Sequence, residues 1–160
     1  MKVRFLMALA AGAVAFATSL AHAQFPQYGP DVGLEQAKKI LAAGEAEAKK
    51  NNWPMAIAVV DTHGGLVAFA KLDGTQHASA AVSQDKASSA ALYRRPTKAF
   101  QDVLAKGGDG WRVLTFRGVS AAEGGVPLYA DGKIVGAVGV SGGSSDQDGA
   151  VAKAAAEALK

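Results

Sequence analysis

The chain has no cysteine in its 160 residues. That excludes disulfides, thiol nucleophiles, zinc–thiolate sites, iron–sulfur clusters and covalent c-type haem attachment. Histidine is nearly as scarce, with three in all. Neither sign of charge dominates, since 17 basic residues face 14 acidic ones. Catalytic signatures are missing too. There is no HExxH, no EF-hand loop and no facial-triad spacing. Gly142-Gly143-Ser144-Ser145 lacks the Gly-Lys-Ser/Thr ending that reaches phosphates and magnesium in a P-loop. The shortage of histidine also argues against a serine-hydrolase triad.

What is present begins with a targeting pattern. Lys2 and Arg4 form a short basic segment, Leu6 to Leu20 is apolar and alanine-rich, and Ala21-His22-Ala23 is a small-x-small cleavage site. In this order they describe a secretory signal peptide, with an uncleaved N-terminal anchor as the alternative. The apolar stretch is short for a span of ~20 residues. The expected organisation is a signal peptide at 1–23 and a single domain at 24–160, within the usual size of one domain. The expected location is periplasmic or secreted, with no stable membrane insertion after cleavage. Removing Lys2 and Arg4 leaves 15 basic residues against 14 acidic, so no nucleic-acid partner is implied. An exported domain without cysteine must rely on packing and oligomerisation.

Periodicity supplies the fold class. Gln24–Pro30 reads as a loose, proline-bearing lead-in. Leu34, Ala37, Leu41, Gly44 and Ala48 predict an amphipathic helix over 33–50, capped by Asp31 and ended by Asn51-Asn52 and Pro54. Met55–Val60 and Leu66–Lys71 read as strands around a turn at Asp61–Gly65. Ala78–Leu92 reads as a helix, and Pro96 opens another to about Ala105. Trp111–Ala122 stays open between a short strand and a loop. Gly125–Ala130 and Ile134–Val140 form a hairpin around Asp131-Gly132. Asp146–Lys160 closes the chain as a helix capped by Ser144 or Ser145. The order predicts an α+β fold: an antiparallel sheet of four to five strands with helices packed on one face, a profilin- or PAS-like layer. The alanine-rich stretches Ala78–Ala91 and Ala150–Ala158 have small faces that permit close approach, which predicts a homo-oligomer.

The stretch from Gly124 to Asp148 holds the strongest candidate for a binding loop. A strand ends at Ser141-Gly142-Gly143-Ser144 and a helix begins at once. Unpaired N–H groups at a helix start suit a carboxylate or phosphate. Lys86 shares a helical face with Ser83. If that face met the loop, an anion would find a cation, hydroxyls and backbone N–H groups together. The bland reading is a tight turn with an N-cap.

Taken together, Gly124-Gly125-Val126-Pro127, Gly136-Ala137-Val138-Gly139-Val140-Ser141-Gly142-Gly143 and Gln147-Asp148 resemble the GlcG/HbpS family. Lys71, Asp73-Gly74, the Ser83–Ala90 stretch and Arg95-Pro96-Thr97 extend the resemblance from Leu34 to the C-terminus. It implies a compact, oligomeric domain and, for some exported members, haem binding. If haem binds through a histidine, His77 is the first choice of iron ligand, since strand-to-helix loops tend to build pockets. His63, in the first hairpin turn, is the second. Lys71, Lys86, Arg94 and Arg95 could pair with propionates. The resulting expectation is an exported haem- or tetrapyrrole-binding accessory protein, non-enzymatic or weakly degradative. The alternative is a periplasmic binder of a small organic acid, or an enzyme acting on one, with Lys86, Ser83 and the Gly142–Ser145 loop as its site.

Overall fold

The computed structural model describes residues 25–159. The signal-peptide assignment to 1–23 lies outside them. The order is α1 (Leu34–Lys50), β1 (Ala56–Val60), β2 (Leu66–Lys71), α2 (Ser79–Tyr93), α3 (Lys98–Ala105), β3 (Gly125–Ala130), β4 (Lys133–Ser141) and α4 (Ser145–Glu157). A 3-10 helix, Gly108–Thr115, takes the start of the Trp111–Ala122 segment left open between strand and loop, and the remainder is loop. The four strands form one antiparallel sheet in the order β2-β1-β4-β3. The α+β class and the four-stranded sheet are as expected. Asp131 and Gly132 both take positive φ, 50° and 72°, as a tight Asp-Gly hairpin requires.

Helix placement departs from expectation, because the sheet is covered on both faces. Ile57, Val59, Val138, Val140 and Leu128 pack with Ile40, Leu41, Val151 and Ala155 of α1 and α4. On the opposite face Ala58, Val60 and Ala137 pack with Ala87, Ala90 and Ala91 of α2. The reason is visible in the strands. All five residues of β1 are buried, as are all of β4 after Lys133. Near-continuous apolar runs belong to strands buried on both sides, whereas a one-sided layer would alternate. Fully burying Val60, which faces α2, is worth about 1.5–3 kcal/mol, so the second layer adds to the stability.

Glycine sets how close α2 can lie. Gly125 and Gly139 are paired across β3 and β4. A Cβ on Gly139 would collide with the Ser83 carbonyl and the Ala87 nitrogen, and one on Gly125 with the Lys86 carbonyl. Ser83, Ala87, Ala90 and Ala91 of α2 are therefore spent inside the chain. Ala152 and Ala155 of α4 are too, for a Cβ on Gly44 of α1 would sit 3.2 Å from that of Ala155. Most of the small-residue faces that the sequence offered for oligomerisation are thus used within the chain. Exposed apolar side chains lie elsewhere, at Trp111, Leu114 and Phe116.

The lead-in is not loose. Ile134 donates to the Gln27 carbonyl at 2.9 Å, Gly29 to the Ile134 carbonyl at 2.7 Å, and Val32 to the Val135 carbonyl at 2.7 Å. β1 pairs with β4 only as far as Ala137, and the lead-in takes up the backbone beyond. Tyr28 adds a side-chain anchor, its hydroxyl donating to the carbonyls of Ala91 (2.9 Å) and Leu92 (3.1 Å) at the end of α2. Asp31 does not cap α1. Gly33 holds the cap position, and its N–H donates to Gln36 Oε1. Among the described residues no helix is long and apolar enough to cross a membrane.

Candidate functional site

The anticipated cradle forms, and its anion is a residue of the chain. Lys86 sits mid-α2 and is 2% exposed. Its ammonium passes Gly124, whose absent Cβ would lie 3.0 Å from Nζ. It donates to Asp148 Oδ2 at 2.6 Å and to the Val140 carbonyl at 3.2 Å. The other oxygen of Asp148 accepts the Gly143 N–H at 3.0 Å. The cation and the loop amide converge as the sequence suggested, but on Asp148.

The remaining residues of the cradle are used internally. Ser83 donates to the Ala80 carbonyl, and the Ser141 and Ser79 hydroxyls are 3.2 Å apart. Gly142 passes close against Pro54 and Met55. Ser144 caps α4, accepting from the Gln147 N–H while its own N–H donates to the Gln147 side chain. Among the described residues no buried side-chain nitrogen or oxygen lacks a partner. Lys86, Ser83 and the loop thus form a closed joint between α2, β4 and α4, in which the Lys86 charge is already matched.

The histidines lie outside this joint. His77 is exposed in the turn that enters α2. His63 occupies the β1–β2 turn with its side chain 84% exposed. Its Nδ1 is 3.2 Å from Thr62 Oγ1 and 4.0 Å from Asp31 Oδ1. Thr62 fixes Asp31 by donating both its hydroxyl (2.5 Å) and its N–H (3.0 Å) to Asp31 Oδ1. The hydroxyl bond, then the amide bond, hold the Asp31 carboxyl below its ordinary pKa. Asp61 shapes the turn, with Oδ1 accepting the N–H groups of His63 and Gly65 at 2.8 Å each.

A cavity of about 400 Å³ opens here, lined by Tyr28, Gly29, Pro30, Asp31, Thr62, His63 and Leu92. Tyr28 connects it to a cationic patch. The Arg94 guanidinium lies 5.5 Å from the Tyr28 ring and 5.3 Å from that of Phe25, and Arg95 lies 4.6 Å from Phe25. Among the described residues neither arginine pairs with a carboxylate. Imidazole and an apolar floor of Tyr28 and Leu92 thus line the cavity, Arg94 lies over the Tyr28 ring at its edge, and Arg95 lies farther along, over Phe25. That donor set fits haem: imidazole ligates iron, and guanidinium binds carboxylate bidentately. The wider groove by Trp53 and Lys71 has no histidine in its lining. Sequence reasoning missed Tyr28, Thr62 and Leu92, and gave Asp31 the wrong partner. No local signal could have supplied them, since Asp31 meets Thr62 and Tyr28 meets Ala91 only across the folded chain.

A family model described as "Haem degrading protein HbpS-like" matches residues 32–157, and the chain belongs to that family. It is 46% identical over 107 residues to Protein GlcG of Escherichia coli K12, an alignment that covers 67% of this chain and 78% of that protein. Among solved structures it is similar to Klebsiella pneumoniae ORFY, with TM-score 0.77, 26% identity, and coverage of 88% and 97% of the two chains. It is also similar to a double mutant of Streptomyces reticuli HbpS, with TM-score 0.75, 28% identity, and coverage of 96% and 99%.

Proposed function

We propose that this member of the HbpS-like family is an exported haem- or tetrapyrrole-binding accessory protein. Its ligand would lie on the surface between His63 and the Arg94–Arg95 pair. The observation that carries the reading is an exposed imidazole and an apolar floor in one cavity, with Arg94 over the Tyr28 ring of that floor and Arg95 beside it in the chain, neither arginine having a carboxylate partner among the described residues. Family membership supports the ligand class. His63 is preferred over His77 because it borders this cavity. Bound haem supplies a redox-active iron. The chain's own part is to present His63, to stack Tyr28 and Leu92 against a flat ring, and to neutralise carboxylates with Arg94 and Arg95.

Export rests on the order Lys2–Arg4, Leu6–Leu20 and Ala21–Ala23. Periplasmic or secreted protein beginning at Gln24, found by N-terminal sequencing, supports it; protein retained in the cytoplasm with Met1 intact contradicts it. Self-association is part of the proposal and rests on Trp111 and Leu114, which are 64% and 71% exposed. The competing small-acid reading relied on Lys86, Ser83 and the Gly142–Ser145 loop, and Asp148 fills that cradle.

A haem titration followed by absorbance tests the binding. A saturable Soret shift at one haem per chain is expected. Weak, non-saturable binding would overturn the reading.

A further inference from the structure

We propose that Asp31, Asp61 and His63 form a binding site for a divalent transition-metal ion. One ligand atom from each of the three lies within 4.8 Å of the others. Donors around an ion with bonds of about 2.0–2.2 Å sit roughly 3–4 Å apart, so small side-chain rotations complete the set. No facial-triad spacing appears in the sequence because the site is assembled by the fold. Asp61 and His63 share the β1–β2 turn, whereas Asp31 arrives on the lead-in.

Each carboxylate is held by one oxygen and free at the other. Asp31 Oδ1 takes both donors of Thr62, and Asp61 Oδ1 takes two turn amides. The second oxygen of each has no hydrogen-bond donor or ion-pair partner among the described residues. Neither carboxylate has a lysine or arginine within ion-pair distance among those residues, so two negative charges face one exposed imidazole. A cation relieves that repulsion. The cavity beside Asp31 and His63 leaves room for further ligands or water. Two carboxylates with one imidazole favour Fe²⁺, Mn²⁺, Co²⁺ or Zn²⁺ over Mg²⁺ and Ca²⁺, which prefer oxygen alone.

The metal site stands on its own geometry and goes beyond the haem reading, with which it shares His63. An ion at this site and a haem iron compete for that imidazole.

The test is a titration of the untagged protein with Co²⁺ alone, read by its visible d–d absorption and by calorimetry. One saturable site per chain is expected, weakened about tenfold or more in Asp61→Asn and in His63→Ala. The carboxamide that Asp61→Asn introduces keeps an oxygen to accept the turn amides, so this variant retains the fold, and far-ultraviolet circular dichroism checks it. Absence of saturable Co²⁺ binding overturns the proposal, as does binding unchanged in both variants. No haem enters this experiment, so failure of the haem titration leaves its result intact.

Discussion

The Lys86 ammonium lies 2.6 Å from the Asp148 carboxylate, and the two side chains are 3% and 4% exposed. Two segments that resemble the family, the Ser83–Ala90 stretch and the Gln147-Asp148 pair, thus meet in one buried ion pair. The pair fastens α2 to the start of α4 from opposite faces of the sheet. Breaking one side of such a pair costs about 3–5 kcal/mol, because the other charge stays buried alone. Lys86→Met is expected to lower the urea-unfolding free energy by that amount. Lys38→Ala, which breaks an exposed pair with Glu35, should change it by less than about 0.5 kcal/mol. Equal small effects from both would show the buried pair to be dispensable.

Gly139 tests the second layer. Alanine there collides with backbone atoms of Ser83 and Ala87, which cannot swing away as a flexible side chain could. The expected outcome for Gly139→Ala is a loss of about 3 kcal/mol or more, or failure to fold. Gly132→Ala is the control for crowding, since nothing lies within 4 Å of its Cβ position. It should cost only about 1–2 kcal/mol, from its positive φ. A Gly139→Ala protein as stable as the parent would mean that α2 does not lie where described.

Much of the fold was readable because periodicity and turn chemistry agree. β2 and β3 match their predicted limits, and Ser144 caps α4 as expected. The second helix layer was missed, although its cue lay in the continuous apolar run of β1. The lead-in was misjudged because its order comes from the backbone of Ile134, over a hundred residues away. The site was less legible. Lys86 and Gly143 were correctly brought together, but a sequence does not show that a helix-start aspartate will turn inward.

Tyr129 gives a prediction in pH. Burial raises its phenol above the ordinary value of 10.0. The folded chain therefore holds that proton more tightly than the unfolded chain. The contribution is fully present below pH 10 and is lost as pH rises through the raised value. Tyr129→Phe should decline less steeply in chemical unfolding between pH 9 and 11. Matching slopes in parent and variant would contradict the assignment.

Trp111 and Leu114 project from the 3-10 helix, and the proposal makes them a self-association surface. Light scattering after gel filtration is expected to show more than one chain per particle. Trp111→Glu with Leu114→Glu should shift the particle toward the monomer without loss of helical signal. A parent protein that is monomeric at tens of micromolar contradicts this part of the account.

The central claim is that the ligand surface lies at His63 and not at the loop beside Lys86. The most direct measurement is a haem titration of the parent, His63→Ala and His77→Ala proteins side by side, followed at the Soret band. The account predicts saturable binding in the parent and in His77→Ala, and a lost or displaced Soret band in His63→Ala. Binding that disappears in His77→Ala while His63→Ala retains the parental spectrum would contradict it.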